Sequence, residues 1–148
     1  MLALALALLA IVAADEKPVS GTGAELVHLL EGTVWIDIGL GRNIGSLTPK
    51  QIAELRRCKE PTMAFEKTGE GWTQSFYAGI EMRTVYSSAV LKKDRSGKTV
   101  LLYVAGHASP AETLRITPDG DAMLEQTRGF RPRTFLKCRQ PEPAPRKH

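Results

Sequence analysis

Apolar positions along this chain change their spacing twice, and each change marks a different kind of structure. Residues 2–12 are an unbroken run of Leu, Ala, Ile and Val, followed at once by the polar Asp15-Glu16-Lys17-Pro18. In residues 24–31, Leu26, Val27, Leu29 and Leu30 fall on one helical face, and Gly32 ends it, so this stretch predicts a short helix. Residues 33–38 are β-branched and aromatic and predict a first strand. The glycines at 39, 41 and 45 then break the order. Thr48-Pro49 opens a second predicted helix through Arg57, with Ile52 and Leu55 on its inner face and Pro49 at the favoured first position.

From Cys58 onward the spacing is that of strands separated by turn signals about every ten residues, as in an antiparallel meander or barrel. Predicted strands cover 62–67 and 72–77, with Trp72 and Phe76 on one face. A long strand is predicted over 80–92, turned back by Asp94-Arg95-Ser96-Gly97 into 98–106, whose apolar character on both faces places it near the sheet centre. Strands at 113–117 and 122–127 flank the turn Pro118-Asp119-Gly120-Asp121, and 134–138 is the last. The fold class expected is mainly β, a small barrel or half-barrel with one or two short N-terminal helices.

The opening apolar run is too short for the roughly 18 to 20 residues of a membrane span but suits a signal peptide. Residues 1–14 are therefore expected to be removed before Asp15, or before Ala14, although no Lys or Arg precedes the run. This makes the protein periplasmic or secreted, without a stable membrane span. Residues 15–23 read as a flexible leader, 24–139 as one domain, and 140–148, with Pro141, Pro143 and Pro145, as a disordered basic tail.

Export gives the two cysteines their reading. Cys58 and Cys138 are expected to form a disulfide, since an even pair closes in an oxidising compartment and no nearby Cys or His completes a metal set. The formal net charge is +4. Its distribution is uneven, with Arg128, Arg131, Arg133, Lys137 and Arg139 crowding the last predicted strand. They fit either a solvated edge strand or a surface that docks an acidic envelope partner. No nucleic-acid motif accompanies them.

Motifs for catalysis and cofactors are weak. Gly39, Gly41 and Gly45 lack the strand–helix alternation of a dinucleotide site and read as a loop. Asp119, Asp121 and Glu125 lack the ligand series of a calcium loop. His28, His107 and His148 are scattered, no Gly-x-Ser-x-Gly is present, and Glu81 with Arg83 reads as a surface ion pair. A hydrolase would need acids such as Glu66 and Glu81 to converge. No catalytic residue, metal or cofactor is assigned.

The aromatic set has the make-up of a barrel interior, serving as core or as the wall of a pocket. Gly32-x-x-Trp35 opening a strand behind a short helix, the loose Thr84-Val85-Tyr86 motif, and a last strand carrying Cys138 together resemble the small lipocalin-like barrels of bacterial envelopes. The resemblance covers about residues 26–138 and implies a barrel fold. The leading expectation is a non-enzymatic binding domain whose mouth, near Trp35, Trp72, Tyr86 and Tyr103, takes a small apolar or amphipathic molecule. The alternative is an interaction or inhibitor module acting through its basic last strand.

Overall fold

Thr22 and Thr48 start the two helices by the same chemistry. Thr22 Oγ1 accepts a hydrogen bond from Glu25 N at 3.3 Å while Glu25 Oε2 accepts from Thr22 N at 2.8 Å. Thr48 and Gln51 repeat this reciprocal arrangement, and Pro49 occupies the first turn. Each such cap contributes about 1 kcal/mol to a helix too short to persist alone. The helices are α1 (Gly23–Leu30) and α2 (Pro49–Leu55). They belong to a computed structural model that describes residues 19–39, 41–69, 71–77 and 79–139. The expected signal peptide at 1–14, the first part of the leader and the tail at 140–148 lie outside the described residues.

The strands are β1 (Val19–Ser20), β2 (Val34–Asp37), β3 (Met63–Thr68), β4 (Gly71–Tyr77), β5 (Glu81–Tyr86), β6 (Ser88–Asp94), β7 (Gly97–Tyr103), β8 (Glu112–Ile116), β9 (Ala122–Thr127) and β10 (Arg133–Lys137). They form one sheet in the order β1-β6-β7-β8-β9-β10-β2-β3-β4-β5, with antiparallel pairing throughout. The order is a meander that begins at β6, passes through β10 to β2 and ends at β5. Because β5 and β6 are consecutive in the chain, separated only by Ser87, the two ends of the sheet meet and the meander is a nearly closed barrel.

Three expectations change in detail. The long strand predicted over 80–92 is broken at Ser87, whose N–H turns to Tyr103 O at 2.8 Å. Its first half pairs with β4 and its second with β7, a change of partner that local alternation does not encode. Strand β7 stops at Tyr103, three residues short of Gly106. The later part of the expected leader is ordered: β1 lies against β6, and Gly21 N donates to Leu91 O at 2.9 Å.

Strand alternation divides the side chains between two apolar clusters. The inward set includes Trp35, Met63, Phe65, Trp72, Leu91, Val100, Leu102, Leu114, Met123 and Phe135, all buried. Leu26 and Leu30 of α1 join this set, so the helix closes one end of the barrel. It is tethered on both sides: Glu25 pairs with Lys93 of β6, Glu31 accepts from Lys67 N of β3, and Gly32 N donates to Phe65 O at 3.3 Å. The outward cluster is Ile38, Ala122 and Leu136, covered by Ile44, Leu47, Ile52 and Leu55 from the segment containing α2. Among the described residues no helix is long and apolar enough to cross a membrane.

The covering segment is fastened to the last strand. Arg56 holds Asp121 through two contacts of 2.8 Å and donates from Nε to Lys137 O at 3.0 Å. Next to it Cys58 and Cys138 are joined as a disulfide, with Cα atoms 5.6 Å apart and a sequence separation of 80. Closing a loop of that length restricts the unfolded chain by roughly 4 kcal/mol on chain-entropy grounds. The double substitution Cys58→Ala with Cys138→Ala is therefore expected to lower the unfolding free energy by about 4 kcal/mol in urea titrations of the folded domain. An unchanged midpoint would show that the bridge contributes nothing.

Candidate functional site

The end of the barrel opposite α1 is built from inward positions that are polar instead of aliphatic. On β8 the inward residues are Glu112, Leu114 and Ile116, all buried, so the carboxyl stands one pair above Leu114 on the same face. On β9 the matching residues are Met123, Glu125 and Thr127, with Glu125 opposite Leu114 and Thr127 opposite Glu112. Strands β4 and β5 contribute Gln74 and Tyr86. Glu112 is 2% exposed, Glu125 8%, Gln74 5% and Tyr86 2%.

These side chains form one network. Gln74 Nε2 donates to Glu112 Oε1 at 2.8 Å, the Tyr86 hydroxyl donates to Glu112 Oε2 and lies 3.0 Å from Gln74 Oε1, and Thr127 Oγ1 donates to Glu125 Oε1 at 3.3 Å. Glu112 and Glu125 are diagonal neighbours on adjacent strands, close enough for the charge of one to act on the other. Two buried carboxylates side by side disfavour each other's charged form, so the pair retains a proton more readily than free acids do. Burial, reinforced by the charge of Glu125, pushes Glu112 up to about 8. Burial likewise raises Glu125. Burial and the neighbouring Glu112 push the Tyr86 phenol up, which keeps it a neutral donor.

Above the network lies a cavity of about 320 Å³, lined by Gln74, Tyr86, Glu112 and Glu125 at its base and by Phe76, Met82, Phe130 and Arg133 towards the rim. Arg133 is inward-facing opposite Glu125, pairs with Asp37, and lays its guanidinium 4.5 Å from the Phe76 ring centre. The base is thus polar and acidic, while the rim combines apolar and aromatic side chains with the guanidinium groups of Arg131 and Arg133. A larger groove of about 590 Å³ runs beside the disulfide at the other end, between His28, Glu31, Arg57, Lys137 and Arg139. His28, Glu31, Arg57 and Arg139 are exposed, and water competes there for every polar contact. The mouth is the stronger site because its polar groups are already withdrawn from water.

The expected site residues are distributed between core and rim. Tyr86 lines the cavity. Trp35, 0% exposed, is in the core, its indole N–H satisfied by Thr33 Oγ1 at 2.9 Å, and Trp72 is buried beneath Lys67. Tyr103 ends β7 with the opposite parity to the inward Val100 and Leu102. The basic residues are divided as well. β10 lies between β9 and β2, so it is not an edge strand, and Arg133 and Lys137 share the inward parity of Phe135. Arg131 is at the mouth, Arg128 is exposed just before it, and Lys137 and Arg139 are at the disulfide end. Glu112, Glu125 and Gln74 were not recognised as a set. Starting the eighth strand at Thr113 leaves out Glu112, although its spacing from Leu114 and Ile116 already assigns it their face.

Compared with family models, with curated proteins and with solved structures, the chain shows no significant match.

The retained proton makes stability depend on pH. In the unfolded chain Glu112 ionises near 4.5, whereas in the barrel it keeps its proton to about 8. Between those values the folded state binds the extra proton, so stability falls as pH rises, by about 1.4 kcal/mol per pH unit at its steepest. It levels off above the folded value. Glu112→Gln keeps the shape, leaves Tyr86 its bond to Gln74, and is expected to flatten this slope in urea unfolding curves collected from pH 5 to pH 8. An equal slope in the variant would assign the proton elsewhere.

Proposed function

We propose that the protein is an exported binding domain that holds a small amphipathic molecule in the barrel mouth, its apolar body against Phe76, Met82 and Phe130 and its hydrogen-bond-donating head on the Glu112–Glu125 pair. The observation that carries this reading is the position of the pair: two buried carboxyls on adjacent strands, at the base of an open cavity whose rim carries Phe76, Met82 and Phe130. A buried acid costs free energy unless it is neutral or paired. Arg133, whose charge acts on Glu125, is also paired with Asp37, so the acid pair has no cation to itself. An amine brings both the missing charge and several N–H donors to the same place.

The cavity of about 320 Å³ lies at the small end of the range for ligand pockets, which suits a chain of moderate length and not a bulky ring system. The disulfide supports export, since such bonds persist outside the reducing cytosol. The nearly closed meander is compatible with the same reading, because barrels of this kind commonly receive ligands at one end.

Calorimetric titration at pH 7 with octylamine and with octanoate tests the proposal. The amine is expected to bind one per chain and the carboxylate not to bind, and Glu125→Gln is expected to weaken amine binding about tenfold by removing a charge-assisted bond. Equal uptake of both compounds, or of neither, would overturn it.

A further inference from the structure

Among the described residues the closing corner at Ser87 leaves one strand edge unpaired. β6 has β7 on one side and β1 on the other, but β5 pairs only with β4 and ends the sheet order. Among the described residues no backbone hydrogen bond reaches its outer edge. From Glu81 to Val85 every residue of β5 is exposed. Large apolar side chains collect on this hairpin: Ile80 is 71% exposed, Val85 64% and Met82 49%, with Tyr77 beside them. Exposed, apolar and unpaired, such an edge is a template for another strand.

We propose that this edge pairs with the same edge of a second copy, antiparallel about a twofold axis that sets Met82 opposite its own counterpart. The charge pattern selects this partner and this register. Residues opposed in an antiparallel pair lie on the same face, and twofold symmetry requires the pairing to be reciprocal, so only every second register is open. With Met82 on the axis, Glu81 of each copy faces Arg83 of the other, giving two cross-strand ion pairs, and Ile80 faces Thr84. A shift to either neighbouring register sets Glu81 against Glu81 or Arg83 against Arg83, which repel. One shift further, centred on Thr84, leaves Arg83 facing Val85. Within one copy Glu81 and Arg83 already lie side by side on the outer face, joined at 2.7 Å. Pairing therefore extends an existing pair into a four-charge network and buries Met82, Ile80 and Val85 around it. Every second residue of β5 also gains backbone hydrogen bonds along its free edge.

Sedimentation velocity of the oxidised protein across a concentration series gives the test. The protein is expected to be a reversible dimer. Glu81→Arg and Arg83→Glu, both at exposed positions, are each expected to raise the dimer dissociation constant about tenfold by setting like charges opposite one another. Mixing the two variants is expected to restore association as a mixed dimer, because an all-basic edge then meets an all-acidic one. Met82→Cys is expected to cross-link to itself under mild oxidation, whereas Val85→Cys, which faces Gly79 of the other copy, is not. A monomer at all concentrations would overturn the proposal, with the edge then left to another segment or partner. A dimer indifferent to both charge variants, or a mixture that stays monomeric, would also overturn it.

Discussion

A strand must satisfy its backbone along two edges, and in this protein one continuous run of chain supplies both the first and the last strand of the meander. From Glu81 to Asp94 the alternation scarcely falters, yet at Ser87 the backbone leaves β4 and takes up β7. That change of partner converts a meander into a nearly closed barrel. It also sets Tyr86, the last residue before the bend, with its side chain inward against Glu112 on the far wall. The hydrogen bond therefore spans the barrel at the corner where the sheet closes, and it ties closure to the chemistry of the mouth. The same bend decides which edges are covered, since β1 lies along β6 while among the described residues β5 pairs only with β4.

The interior is graded from one end to the other. Near α1 it is aliphatic and aromatic, with Leu30, Trp35 and Trp72 buried and the Trp35 indole N–H donating to Thr33. Towards the mouth the inward positions become Gln74, Glu112, Glu125 and Arg133. Such a gradient divides the work: the apolar end supplies folding free energy, and the polar end tolerates a destabilising pair of acids because the rest of the barrel offsets it. The outer patch under α2 adds a second, smaller layer, fastened by Arg56 and the disulfide to the strand that carries Arg133.

Much of this order was legible in the chain itself. The two Thr caps, the glycine stops and the period-two stretches identify both helices and most strands, because those signals are local. Three features were not. The break at Ser87 depends on which strands flank it, and that information lies tens of residues away. The basic residues of the last strand look like a stripe until β10 is known to lie inside the sheet, when Arg133 and Lys137 fall on the inner face with Phe135. The acid pair is invisible for the same reason: Glu112 and Glu125 belong to different strands, and only the β8–β9 register makes them neighbours. The two tryptophans carried the opposite ambiguity, since a large aromatic on an inward face serves core and pocket alike, and burial alone decides between them.

The helix that seals the lower end has a consequence for anything that enters. With Leu26 and Leu30 filling that opening and tethers to β3 and β6 on either side, the barrel is a cup and not a conduit. On the proposed reading, a bound molecule would enter and leave past the same Met82 and Phe130 side chains. On that reading loading and unloading would share a single gate, and whatever changes the rim would change both rates together.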